Sequence, residues 1–224
     1  MTHDDSTRPD QDTPATSPDV PGKETTVDDN RPLVALDIDG VLNPTDPKGR
    51  MRGRVPGWKT HRIFVDNRLW PDSPFINHDP RPRRQLPLVL NPDLHGPWIT
   101  DLRTRGADVR WASTWPAVAA NKYLAPLLNI EPMPSTLDTE LEPHPSEHVA
   151  DWKARQLLQA AADRPLVFID DQLDHGDSDL WSSRDPNRTL LIETDPRVGM
   201  TREHMDRIDE FVGTHLNPPT RGTT

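Results

Sequence analysis

Asp37 and Asp39 stand one residue apart at the end of an apolar run, Leu33-Val34-Ala35-Leu36, and Gly40 follows at once. Two neighbouring acids repel each other, and one takes up a proton unless a cation lies between them. The pair therefore points to a hard divalent ion with oxygen ligands, most simply Mg2+. The alternative is an acidic surface turn. Burying an unpaired carboxylate is costly, so after so apolar a run both acids are expected where a strand emerges from the core. Three further polar points have the same setting: Ser113-Thr114 after a second apolar stretch, Lys153 in a helical stretch, and Asp170-Asp171 after Pro165 to Ile169.

Gathered around one ligand, these groups support phosphoryl transfer through an aspartyl phosphate. Asp37 would attack phosphorus. Mg2+ would be held by Asp37, the backbone carbonyl of Asp39 and Asp170, with Asp171 orienting metal-bound water. Ser113, with Thr114 as substitute or helper, and Lys153 would bind the equatorial oxygens. Asp39 would protonate the leaving oxygen and then activate water. Taken alone, Lys153 reads first as a surface lysine on an amphipathic helix, and the loop acids Asp174 and Asp177 read as solvated.

The elements that must position these groups alternate between strand and helix. Leu33 to Leu36 reads as a strand buried on both faces of a parallel sheet, and Gly40 lets the chain turn directly after it. Ala107 to Ser113, Pro165 to Ile169 and Thr189 to Ile192 are further strands, and Pro132 to Leu137 is a short strand candidate. Pro92 to Arg105 reads as a helix stopped by Gly106, with Pro97 raising the alternative of a later start. Ala119 to Leu128, with Pro126 as an alternative early end, His148 to Ala162, and Thr201 to Leu216 capped by Thr201 complete the helices. This alternation implies right-handed βαβ units, a mostly parallel sheet and an α/β fold. In such sheets ligands bind outside the carboxyl ends of the strands.

Bulk properties narrow the class. The chain has 224 residues, no cysteine and a net charge of −10. Disulfides, zinc thiolates and cysteine nucleophiles are thereby excluded, and a general nucleic-acid-coating role is disfavoured. The acidic start lacks the apolar stretch of a signal peptide, and no window suits a membrane span, so a soluble cytoplasmic protein is expected. Residues 1–30 carry eight acids against Arg8 and Lys23 and read as a disordered acidic tail, and the short C-terminal end 218–224 also reads as disordered. Residues 31–217 form the expected domain. Within it, 44–95 reverses the charge, with ten Lys or Arg against five Asp. The segment reads either as a solvated insertion or as an electropositive flap drawing in an anionic substrate, with Arg50, Arg52 and Arg54 on one face of a strand.

The series Asp37-Ile38-Asp39-Gly40-Val41-Leu42, Ser113-Thr114, Lys153 and Asp170-Asp171 resembles the four-motif pattern of the haloacid dehalogenase (HAD) superfamily. The resemblance implies a Rossmann-like three-layer sandwich of strand order 5-4-1-2-3, Mg2+ and an aspartate nucleophile. Val41 stands where many relatives have Thr. The words Trp111-Ala112-Ser113-Thr114-Trp115, Ala120-Asn121 and Asp195-Pro196-Arg197-Val198-Gly199 are similar to a bacterial group related to the HAD domains of large RNA-repair proteins. In such proteins an insertion between the first two motifs can cover the site.

Here the six prolines from Pro56 to Pro87 argue against a helical cap and for a small β-rich flap through Thr60 to Val65 and Pro87 to Leu90. An open cover suits a phosphorylated small molecule, a nucleotide or a nucleic-acid end. Trp115, just past its strand, would line the pocket or stack on a base or sugar, whereas Trp111 reads as core. Asn43 would hold the turn after the first motif. The histidines lack metal-ligand spacing. A receiver domain would place its lysine last, and a dehalogenase would not need Asp39. The rival reading is a catalytically weak HAD scaffold that binds phosphate or RNA.

Overall fold

A computed structural model describes residues 30–45, 57–66, 69, 83–139, 141, 144 and 146–217. The acidic tail before Asn30, Arg50, Arg52 and Arg54, and the C-terminal end 218–224 lie outside the described residues. The elements in chain order are β1 (Leu33–Leu36), β2 (Lys59–Asp66), β3 (Arg83–Leu90), α1 (Pro92–Thr104) and β4 (Asp108–Trp111). There follow α2 (Ala117–Tyr123), α3 (Ala125–Leu128), α4 (Val149–Ala161), β5 (Leu166–Asp170), β6 (Thr189–Glu193) and α5 (Arg202–Leu216). No helix among the described residues is long and apolar enough to cross a membrane.

Four strands form one parallel sheet in the order β4-β1-β5-β6. β1 is short, yet every residue in it is buried, as its unbroken apolar run requires between two helical layers. Its side chains alternate between two cores. Val34 and Leu36 join Val109, Trp111, Val167 and Ile169 on the face covered by α1, α2 and α5. Leu33 and Ala35 join Leu166 and Phe168 under α4, which contributes Trp152, Leu157 and Ala161. Each fully buried Leu or Phe of this kind stabilises the fold by roughly 1.5–3 kcal/mol. This is the Rossmann-like three-layer arrangement expected.

Register sets what reaches the carboxyl edge. Leu36 is level with both Trp111 of β4 and Ile169 of β5. Asp37 donates its N–H to the Ile169 carbonyl at 3.1 Å, and Ala112 donates to the Leu36 carbonyl at 2.7 Å. Three strands thus end at one level, which brings Asp37, Ser113 and Asp170 to the same rim.

The candidate strand at Pro132 to Leu137 is reduced to a single parallel bridge between Trp111 and Ser135. Pro132 and Pro134 lack N–H donors, so the ladder cannot extend. The order 5-4-1-2-3 therefore keeps its fifth member only as that bridge beside β4. Pro97 does not delay α1, which runs from Pro92 through it. Pro126 divides the second helical stretch rather than ending it: α2 stops at Tyr123, and Pro126 sits in the first turn of α3, where its missing N–H costs nothing. Thr201 caps α5 as expected, accepting from the His204 N–H while His204 Nδ1 accepts from the Thr201 N–H.

The basic insertion contains an antiparallel pair, β2 with β3, whose register runs from Lys59 opposite Leu90 to Asp66 opposite Arg83. Val65, Leu88 and Leu90 turn inward to the core, and the Asp66 N–H donates to the Tyr123 hydroxyl at 2.9 Å. Thr60, Arg62 and Phe64 alternate outward into solvent. The small β-rich insertion expected after the first strand is this antiparallel pair.

Candidate active site

β1 ends at Leu36, and Asp37 is the first residue beyond it, only 5% exposed. Asp170 is the last residue of β5 and 1% exposed; Asp171 follows, half-buried. One carboxylate oxygen from each of Asp37, Asp170 and Asp171 lies within 4.8 Å of the other two. Lys153 comes to them from α4. Trp152 anchors that helix on the sheet, and the helical rotation of one residue turns Lys153 toward the strand ends. Its Nζ donates to Asp37 Oδ2 at 2.9 Å and to Asp170 Oδ2 at 2.6 Å, with 4% of the residue exposed. Asp170 Oδ1 accepts from the Gln172 N–H at 2.9 Å.

Three carboxylates around one ammonium leave an excess of negative charge in a buried place. Burial, then the charge of Asp37, pushes the Asp170 carboxyl up to about 7 against the pull of Lys153. Burial and the same neighbour push Asp171 up to about 6. Burial works against the Lys153 ammonium, but Asp37 and Asp170 overcome it and hold its pKa above the usual lysine value. The donor set fits a divalent cation: it is all oxygen, converging and short of positive charge.

Asp39 is handled differently. Its carboxyl stands apart from the three-carboxylate group, accepting from Asn43 Nδ2 at 2.6 Å and from Trp115 Nε1 at 2.9 Å. Burial raises its pKa, and the two hydrogen bonds work to lower it. Of the two hydroxyls, Ser113 is buried and accepts from the Trp115 N–H at 3.4 Å, while Thr114 is half-buried. Trp115 itself is 7% exposed and packed in the core.

Asn43 does more than hold its own turn: its Oδ1 accepts from the Val89 N–H of β3 at 2.8 Å.

Two supports of the site were not read from the sequence as such. Thr194, buried just after β6, donates its hydroxyl to the Gly40 carbonyl at 2.9 Å. The segment beyond it clasps the same loop, with Thr45 donating to the Pro196 carbonyl at 2.7 Å and Met200 to the Val41 carbonyl at 2.8 Å. The signal was the polar pair Glu193-Thr194 just past an apolar strand, close to the signal that marked Asp37 and Asp170.

Residues 33–205 match the family described as the HAD domain in Swiss Army Knife RNA repair proteins. The chain belongs to that family. No curated protein and no solved structure matches it. Membership in this HAD family points to phosphohydrolase-like chemistry, and the Asp37, Asp170 and Asp171 carboxylates could hold a metal ion.

Proposed function

We propose that this HAD domain is a Mg2+-dependent phosphohydrolase that works through an aspartyl phosphate on a phosphomonoester, a nucleotide or the end of a nucleic acid. The observation that carries the reading is the convergence of Asp37, Asp170 and Asp171 with Lys153 bonded to two of them, while Asp39 stands apart. The three carboxylates and the Asp39 carbonyl would hold Mg2+, which would supply charge neutralisation for the phosphoryl oxygens.

The chain's own groups do the rest. The Asp37 carboxylate attacks phosphorus, forming an O–P bond as the ester P–O bond breaks. Asp39 gives a proton to the departing oxygen, then takes one from the water that displaces phosphate from Asp37. Ser113, Thr114 and Lys153 hold the equatorial oxygens, where positioned donors in a dry site stabilise the developing charge. Lys153 has a second duty, since its charge keeps Asp37 and Asp170 tolerable in a buried place.

The preference for nucleotides or nucleic-acid ends rests on two supports: the family's description and the positive balance of 44–95. In this reading Arg50, Arg52 and Arg54 bind substrate, and Trp115 serves Asp39 rather than a base. The test is phosphate release from p-nitrophenyl phosphate and from RNA oligonucleotides phosphorylated at either end, with Mg2+ and with a chelator. Mg2+-dependent release that falls at least ~1,000-fold in Asp37→Asn is expected. Wild-type turnover by that variant would remove the aspartyl nucleophile. RNA binding with no hydrolysis would favour the scaffold reading instead.

A further inference from the structure

We infer that Asn43 and Trp115 are positioning residues that clamp the Asp39 carboxyl for proton transfer, and that Asn43 ties this clamp to strand β3 of the hairpin. The inference rests on the acid–base role proposed for Asp39. Each carboxylate oxygen receives one donor, Asn43 Nδ2 at 2.6 Å on Oδ1 and Trp115 Nε1 at 2.9 Å on Oδ2. Two fixed donors on two oxygens set the carboxyl plane, and each oxygen keeps a second lone-pair direction where a proton can sit.

Both donors are themselves held. The Val89 N–H can only donate and the Asp39 carboxylate can only accept, so the Asn43 amide has one workable orientation: oxygen to Val89, nitrogen to Asp39. The Asn43 backbone is fixed by its N–H on the Ile38 carbonyl at 2.8 Å and by its carbonyl on the Gly40 N–H at 2.9 Å. Trp115 is fixed by core packing and by its N–H on Ser113 Oγ. The acid–base carboxyl is thus tied through Trp115 to the hydroxyl proposed to bind phosphate, and through Asn43 to the hairpin. A shift of β3 along its length carries the Val89 donor away and releases the Asn43 amide to turn.

Such a clamp affects proton transfer and not phosphate binding. Cleavage of an aryl phosphate releases a stable phenolate and needs no proton, whereas cleavage of an alkyl phosphate needs one as the bond breaks. In Trp115→Phe, which keeps an apolar ring and loses the N–H, we expect alkyl phosphate turnover to fall at least 20-fold. The single-turnover burst of p-nitrophenol should change less than 3-fold, and the inhibition constant of inorganic phosphate less than 2-fold. Equal losses for both esters, or no loss for either, would overturn the clamp.

A second measurement does not depend on that variant folding or on any activity. In a 15N-labelled sample, Asp39→Asn should shift the Trp115 indole N–H resonance and, through Asn43, the Val89 amide resonance. An unmoved indole overturns the clamp, and an unmoved Val89 amide overturns its tie to the hairpin. A wild-type protein that hydrolyses neither ester would remove the phosphohydrolase reading, and the two resonances would still decide the hydrogen-bonded arrangement.

Discussion

Gly40 meets two demands at once. Its φ of +78° lies where a side chain is strained, and a Cβ there would run into the Asp171 carboxyl. Gly40→Ala is expected to cost about 2 kcal/mol or more in urea unfolding, from backbone strain plus the displaced acid. Because Asp171 moves, the variant should also weaken Mg2+ binding; unchanged stability and affinity would contradict the close approach. Asp39→Asn separates the two chemical steps. It should still release one equivalent of p-nitrophenol from the aryl ester, then turn over at least ~100-fold more slowly than wild type, as read by rapid-mixing kinetics. At this scale Asp37, Lys153 and Asp170 were legible, because a charged group at the end of an apolar strand or on an anchored helix has few places to go. The duties of Asn43 and Trp115 were not. Their partners, Val89 and Asp39, are far away in the chain, and no local rule of turn or strand chemistry encodes such pairings.

Among the elements, the buried face of α1 carries a pH signature. His95 is fully buried beside Trp58, with ring centroids 5.3 Å apart, and burial lowers its pKa to about 4. The unfolded chain binds this proton near pH 6.5, so the stability that the neutral ring contributes is present above that pH and lost as pH falls toward 4. Between pH 7 and pH 5 the loss is on the order of 2 kcal/mol. His95→Gln should flatten that part of the stability profile, measured by urea unfolding at both pH values; an unaltered slope would mean His95 is not the group responsible. Strands β1 and β5 could be read from sequence because a run buried on both faces has no competing pattern. The bridge at Ser135 was harder to read, since Pro132 and Pro134 cancel ladder bonds that the neighbouring apolar residues suggest. The words that carried the subfamily resemblance turn out to be joints between elements. Asn121, for example, accepts from the Trp111 indole and the Met133 N–H, each at 2.9 Å, and so pins α2 to β4 and to the segment that bears Ser135.

Over the whole molecule, charge is segregated along the sequence: a chain of net −10 carries, in 44–95, a segment of opposite sign. Replacing Arg50, Arg52 and Arg54 together with Ser should raise KM for phosphorylated RNA several-fold more than it lowers kcat, with the gap closing at high salt. An unchanged KM would detach the insertion from substrate capture. The acidic site also links metal to stability. The Asp170 and Asp171 carboxyls, raised to about 7 and about 6, bind protons in the folded state that the unfolded chain has released. Their contribution to metal-free stability is therefore present at low pH and lost as pH rises through 6 to 7. Mg2+ takes the place of those protons, so the Tm gain on adding it should be larger at pH 7.5 than at pH 5.5, and Asp170→Asn should narrow the difference. A gain independent of pH would contradict the charge deficit described for the site.

The shared cation is best tested by anomalous diffraction from crystals soaked in Mn2+. One strong peak is expected at the carboxyl edge of the sheet, within bonding distance of carboxylate oxygens from both Asp37 and Asp170, and it should be lost in Asp170→Asn. A manganese ion bound elsewhere, with those two carboxylates ligating nothing in common, would contradict it.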